Sequence, residues 1–301
     1  MKKIENFNKL PEKETCIALG CFDGIHKGHQ AVLKNTVQVS KEKNLIPMVF
    51  TFKDNIKEFF LKKSVPKITL ENHRCELFSQ LKIKYVYSIL SKDVIPLAPE
   101  EFISEILAKK LKAKHIFCGF NFYFGKNKAG NTETLKKICE PLNIKVHIID
   151  PQYEGETLIS SALIRTLILD GKVDLANNML GRNFSYKLPV IKGSRIGHKL
   201  GFPTINQNFP NNFIIPKFGV YKSFVKIDNK IYKSITNIGV CPTTKSDSIP
   251  HSETFIFDCP YPNLYEKNIS VNLCKFIREE KNFNSIDNLK NQILTDVNSC
   301  N

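Results

Sequence analysis

Two histidines three residues apart in a glycine-rich turn, Gly20-Cys-Phe-Asp-Gly24-Ile-His26-Lys-Gly28-His29, are the residues of this chain best suited to hold a phosphate. A run of strand-forming residues from Thr15 to Cys21 leads into the turn, and a helix-like segment from Gln30 to Lys43 leads out of it. A helix start carries unpaired backbone N–H groups and the positive end of the helix dipole, so it favours an anion. Glycines without side chains let a phosphate approach, and two imidazoles on one helical turn add donors. The spacing predicts a nucleotide-phosphate site. It also fits a metal half-site or two solvated side chains.

Three other groupings could do chemistry. Ser160-Ser161-Ala-Leu-Ile-Arg165 reads as a serine-capped helix with a guanidinium one turn in, either an anion site or an ordinary cap beside a surface arginine. Gly193, Gly197 and Gly201 recur at four-residue spacing before Pro203-Thr204-Ile-Asn206, the pattern of a flap over phosphates. The Thr204 hydroxyl and Asn206 amide are oxygen donors of the kind Mg²⁺ accepts. Glu253 stands alone in Ser-Glu-Thr-Phe-Ile-Phe. It is either a base in the mouth of a barrel or a carboxylate on the exposed face of an edge strand.

Two kinds of element must position these groups. Before residue 150, strand patterns (15–21, 46–52, 85–90, 115–119, 146–149) alternate with helical ones (30–43, 70–81, 99–111, 132–142). That alternation predicts a doubly wound α/β domain around a parallel sheet. After Gly181 short β-branched and aromatic runs follow one another (187–192, 219–227, 231–238, 252–258, 269–276), separated by Pro, Gly and Asn. These predict an antiparallel β-barrel or sandwich, with a last helix from Ser285 to Val297 on its outside. The expected domains are 1–181 and 182–301, separable by a cut near Gly181.

Composition narrows the partners. The net charge of +15 is spread along the whole chain, and its densest cluster, Lys109 to Lys114, ends an amphipathic helix. No basic motif interleaved with aromatics is present, so small polyanions such as ATP are expected and nucleic acid is not. No apolar run is long enough to span a bilayer, and no secretory leader is apparent, so no membrane partner is expected. Nine cysteines without a C-x-x-C pair predict buried thiols in a reducing cytoplasm, with Cys300 in an exposed tail.

In this order the motifs resemble the bacterial bifunctional riboflavin kinase/FAD synthetase family across nearly the whole chain. The landmarks are Gly20–His29, Pro99-Glu-Glu-Phe102, Gly119-Phe-Asn121-Phe-Tyr-Phe-Gly125, Ser160–Arg165, Leu180-Gly-Arg182, Leu200–Asn206, Gly219-Val-Tyr221, Asn237-Ile-Gly239 and Leu264-Tyr265. The resemblance implies the barrel for the second half, and two ATP-dependent steps: riboflavin to FMN in that barrel, and FMN to FAD with release of pyrophosphate in the α/β domain. It implies that His26, His29 and Arg165 stabilise charge in the second step. Gly20, Phe22, Asp23, Gly24, Gly28, Ser160 and Ser161 would surround its nucleotide. In the kinase it implies ATP under Gly193, Gly197, Gly201 and Pro203, Mg²⁺ at Thr204 and Asn206, and Glu253 as the base. Asn121, Tyr221 and Arg278 would lie beside flavin. Cys21, Phe120, Ala162 and the segment Thr51-Phe-Lys-Asp-Asn-Ile56 depart from the family pattern in the adenylyltransferase half. In the kinase half the main departure is His198-Lys199. The alternatives are a kinase with a weakened adenylyltransferase half, or a nucleotidyltransferase for another phosphate ester.

Overall fold

A strand with helices on both sides must be apolar on both faces, and Thr15–Leu19 is buried at every position. It lies in the first of two compact units of the computed structural model, Met1–Ser160 and Ser161–Asn301. The structure describes residues 2–4, 11–54, 56, 58, 64–193, 197, 200–228, 230–240, 249–261 and 263–299.

In the first unit six strands form a parallel sheet: β1 (Lys2–Ile4), β2 (Thr15–Leu19), β3 (Ile46–Phe52), β4 (Tyr85–Ile89), β5 (Ala113–Gly119) and β6 (Lys145–Ile149). Their spatial order is β1-β4-β3-β2-β5-β6. The chain moves outward from β2 to β3 and β4, then crosses back to β5, so the carboxyl end of β2 is the topological switch point. Helices α1 (Lys27–Glu42) and α2 (Glu71–Gln80) cover one face, where Val32, Leu33, Leu77 and Phe78 meet Cys16, Ala18 and Val49. Helix α3 (Pro99–Glu101, continuing as a π-helix over Phe102–Lys110) and α4 (Thr132–Cys139) cover the other. There Phe102, Ile106 and Leu135 meet Ile17, Leu19 and Met48. The wider winding of α3 closes with Leu111 N–H donating to Ile106 O at 2.9 Å. A short hairpin, β7 (Tyr153–Glu154) and β8 (Thr157–Leu158), follows.

Strand β2 stops two residues short of the expected Cys21. Gly20 N–H still reaches Phe50 O, but the chain turns to positive φ at Phe22 and leaves the sheet. The cysteines divide as well: Cys16, Cys118 and Cys139 are buried, and burial pushes each thiol up to about 12, whereas Cys21 is exposed. Cys300 lies outside the described residues.

One pair in this sheet makes stability pH-dependent. His115 Nδ1 lies 3.0 Å from His147 Nε2 across β5 and β6, and His147 stacks on Phe117 at 4.3 Å. Burial holds both histidines below their ordinary value; the His147 ring, Lys145 and Lys43 add to this at His115, and Lys145 at His147. A histidine held low in the folded state binds protons preferentially when unfolded. The stabilisation is therefore complete above about pH 6.5 and is lost as pH falls below it. The melting temperature of the first unit is expected to fall between pH 7.5 and 5.5, and His147→Gln to flatten that slope.

In the second unit two helices, α5 (Ser161–Leu169) and α6 (Val173–Leu180), precede six antiparallel strands. These are β9 (Phe184–Pro189), β10 (Thr204–Asn208), β11 (Gly219–Ile227), β12 (Lys230–Val240), β13 (Pro250–Ile256) and β14 (Asn268–Arg278), in the order β10-β13-β12-β11-β14-β9. The sheet curls into a half-barrel, and its open seam is bridged by Ile191 N–H to Asn206 O (2.8 Å) and by the Gln207 amide to Leu188 O (2.6 Å) and Ile269 O (3.0 Å). Strand β9 begins earlier than the expected 187, because Phe184, Tyr186 and Leu188 alternate into the interior. The inner face is unusually hydroxylic. Ser223, Ser234, Thr236 and Thr254 satisfy one another at 2.7–2.9 Å.

Helix α7 (Ile286–Asn298) begins at Ser285, whose Oγ accepts the Asn288 N–H. Its apolar stripe is only partly used, since Ile286 remains 69% exposed. The anchor is instead an ion pair of Arg278 with the buried Asp296, Nε at 3.0 Å from both carboxylate oxygens and Nη2 at 2.6 Å.

Candidate functional sites

The turn after β2 lies at the switch point, where an open α/β sheet leaves a crevice. Its backbone is wound left-handed at Phe22 (φ 51°), Gly24 (φ 83°) and Ile25 (φ 41°), a conformation that costs free energy at the two non-glycine positions. Burial of both side chains, each 1% exposed, offsets that cost. The Phe22 side chain therefore belongs to the core, and any contact of this residue with a nucleotide would be through its backbone. Its ring folds back under Gly20, where a Cβ would stand 3.0 Å from it, and meets His29 edge-on at 5.3 Å. Asp23 also shapes the turn. Its carboxylate accepts the N–H groups of Ile68 (3.0 Å) and Thr69 (3.2 Å) and fixes the segment before α2.

The histidines do come together. His26 is the N-cap of α1, and its Nδ1 accepts the His29 N–H at 3.3 Å, which places the proton of a neutral ring on Nε2. The two rings stack at 3.7 Å. Gly28 is required by this packing, because a Cβ there would stand 3.1 Å from the His26 ring. Lys27 pairs with Glu154 of the β7–β8 hairpin at 2.6 Å, beside the same helix start. Asn121 is exposed just beyond β5, at the same carboxyl edge of the sheet.

Arg74 is the residue of this turn that sequence reasoning missed. It is 6% exposed on α2 and donates to Cys21 O (3.1 Å), to Phe52 O (2.9 Å) and to Glu71 (2.5 Å). Thr51 Oγ1 donates to the same Cys21 carbonyl at 3.0 Å. The signal was available: Arg74 lies on the apolar stripe with Leu77 and Phe78, where a charge must have partners.

Ser160 ends the first unit, and Ser161 and Arg165 begin the second. Arg165 is 9% exposed and donates from Nη1 to Ser161 O at 3.1 Å.

In the second unit the outer face of the half-barrel collects the remaining candidates. Ladder pairing places Asn206, Glu253, Asn237, Val220 and Arg278 side by side across β10, β13, β12, β11 and β14. Thr204 lies two residues from Asn206 on the same face. Gly193 lies directly over Asn206, where a Cβ would stand 2.5 Å from the amide nitrogen. A Cβ on Gly197 would lie 2.5 Å from Phe202 O and 3.5 Å from Thr204 Oγ1. The glycines thus let backbone cover both oxygen donors, a cradle that any other residue would fill. Residues 194–196, 198 and 199 of the flap lie outside the described residues.

Two expectations need correction here. Glu253 does not point into the barrel: Ser252 and Thr254 occupy the interior at 0% exposure, and Glu253 faces outward, 37% exposed, with His251 Nε2 at 3.9 Å. It is not on an edge strand either, since β13 lies between β10 and β12. Tyr221 has no surface to offer a flavin, being 0% exposed with its hydroxyl donated to Lys217 O at 2.5 Å. Arg278 is on the outer row but is committed to Asp296.

Comparison with known proteins follows the same division. A family model described as FAD synthetase matches residues 9–163, and one described as riboflavin kinase matches residues 180–301. A bifunctional riboflavin kinase/FMN adenylyltransferase of Buchnera aphidicola subsp. Schizaphis graminum is 36% identical over 99% of this chain and 96% of that protein. One of Bacillus subtilis is 33% identical over 96% and 92%. A crystal structure described as a macrolide-efflux protein from Streptococcus pneumoniae superposes with a TM-score of 0.87 at 27% identity, over 99% of this chain and 98% of that one.

Proposed function

We infer, for a chain that belongs to the bifunctional riboflavin kinase/FMN adenylyltransferase family, that it makes FMN from riboflavin and ATP and then FAD from FMN and ATP. The observation that carries this is the tiling of the chain by two family matches, each containing one of the two built sites. The efflux name belongs to the solved neighbour and is not carried over. No helix among the described residues is long and apolar enough to cross a membrane. Small-molecule substrates and a cytoplasmic setting fit both steps.

We assign the kinase step to residues 182–301 and adenylyl transfer to 1–181. In the kinase, Glu253 accepts the proton of the riboflavin hydroxyl that attacks the γ-phosphorus of ATP. The oxygen–phosphorus bond to the hydroxyl forms, and ADP leaves. Gly193, Gly197, Gly201 and Pro203 shape the cover over the phosphates. The uncharged oxygens of Thr204 and Asn206 fit Mg²⁺, which takes few protein ligands and completes its shell with water and phosphate. Bound there, the ion would neutralise phosphate charge. Arg278 is assigned to the surroundings of riboflavin, by holding α7 in place, and Asn121, in the other unit, to those of FMN in adenylyl transfer.

In adenylyl transfer an FMN phosphate oxygen attacks the α-phosphorus of ATP and pyrophosphate leaves. His26 and His29 donate to phosphate oxygens as charge moves towards the leaving group. Gly20, Gly24 and Gly28 let the turn pack closely on Phe22, Ile68 and His26, and their motif assigns them to the nucleotide. Ser160, Ser161 and Arg165 are assigned to the same step from their motif. Incubating the purified chain with riboflavin, ATP and Mg²⁺ and separating the flavins tests the whole reading. Both FMN and FAD should form; FMN alone would mark a lost adenylyltransferase, and neither would reject the assignment.

A cut chain tests the division. Asn177 on α6 donates to Leu273 O (2.9 Å) and accepts the Phe184 N–H (2.5 Å), so α6 braces β9 and β14. A fragment of residues 161–301 is expected to make FMN but not FAD. One starting at 183 should melt several degrees lower, each lost bond costing about 1 kcal/mol. A folded 161–301 fragment without kinase activity would sink the assignment.

A further inference from the structure

Beside Glu253 the outer row continues into Asn237, and Asn237 has a partner from another strand's end. Its Nδ2 donates to Glu280 Oε1 at 3.3 Å. Glu280 follows β14 and reaches back over β12, lying against Gly239 so closely that a Cβ there would collide with its carboxylate. Gly239 is buried and two residues from Asn237, hence on the same face. The glycine is the space through which the carboxylate reaches the amide.

An amide whose nitrogen is turned to one acceptor presents its oxygen in another direction. With Nδ2 given to Glu280, Asn237 Oδ1 is left to accept a hydrogen bond beside Glu253. Riboflavin carries a polyol chain, so several hydroxyl donors must be held while one is deprotonated. We propose that Glu280 is a positioning residue of the kinase step: it fixes the Asn237 amide so that its oxygen receives a hydroxyl of the ribityl chain next to the base Glu253. The acceptor function of Glu280 matters in this role and its charge does not, which separates it from a base or a metal ligand. The inference rests on the assignment of the kinase step to this sheet.

The full-length chain is the test object, assayed for FMN formation with riboflavin and ATP varied separately. Glu280→Ala is expected to raise the KM for riboflavin about tenfold, the scale of one lost hydrogen bond in a recognition site. The KM for ATP and the melting temperature should stay at parent values. Glu280→Gln, whose side-chain oxygen can still accept from Asn237, should restore the riboflavin KM to within about twofold. In an Asn237→Ala background, Glu280→Ala should add nothing further. An unchanged riboflavin KM in Glu280→Ala, full additivity with Asn237→Ala, or equal rises in both KM values would overturn the proposal. A Gln variant as impaired as the Ala variant would do so too. If the parent makes no FMN, the kinase assignment itself fails, a result distinct from each of these.

Discussion

His29→Ala is expected to lower FAD formation from FMN by a hundredfold or more while riboflavin phosphorylation continues at the parent rate. The α1 cap runs from the His29 backbone N–H to His26 Nδ1, so alanine retains it. What disappears is an imidazole stacked on His26 at 3.7 Å and braced edge-on by Phe22 at 5.3 Å. The ring is thus held in one orientation at a helix start, where preorganised donors do most for a developing negative charge. Removing one such donor typically costs about a hundred- to a thousandfold. The measurement is FAD release with FMN supplied, beside FMN release with riboflavin supplied. Normal FAD formation would take His29 out of the mechanism, and equal loss of both activities would indicate a folding defect.

The α/β half was legible because its physics is local. Strands buried on both faces leave uninterrupted apolar runs, and Ile46–Phe52 is bounded by sequence as it is in space. The half-barrel was legible except at β10, where Thr204-Ile-Asn-Gln-Asn reads as a polar ligand motif. It becomes a strand because Gln207, fully buried, closes the seam through two carbonyls that lie far off in sequence. No periodicity reports such a bond.

Site residues split along the same line. The His26/His29 pair was readable from spacing, since both lie on one helical turn. Phe22 and Asp23 sit in the same motif, yet their work is to shape the turn. Their partners, Phe78, Ile68 and Thr69, come from elsewhere in the chain. Tyr221 was expected beside flavin from the resemblance alone, and its inward orientation was not readable for a different reason. Alternation fixes which residues share a face but not which face is inside, and the hydroxylic lining of this sheet defeats the usual rule that the apolar face is the inner one. The same ambiguity left the outward orientation of Glu253 as one of two readings, and only the strand order shows that its strand is not an edge.

That orientation makes the second large prediction sharper. Glu253→Gln is expected to slow riboflavin phosphorylation about a hundred- to ten-thousandfold, the usual cost of losing a general base. Adenylylation of supplied FMN should proceed unchanged. Glu253 lies in register between Asn206 and Asn237, so it is flanked by two amides, one of them the proposed metal ligand. A side chain that is 37% exposed is not needed to fill the interior, and the His251 Nε2 stands 3.9 Å from its carboxylate. Glutamine preserves its volume and can still hydrogen-bond, so the sheet and the flavin site should persist. What it lacks is the basicity to take the hydroxyl proton as the oxygen attacks phosphorus. Riboflavin binding, followed by quenching of flavin fluorescence, should therefore survive at close to parent affinity while turnover collapses. A glutamine variant that turns over near the parent rate would make Glu253 a structural residue. One that loses binding and turnover together would make it a flavin ligand rather than the base.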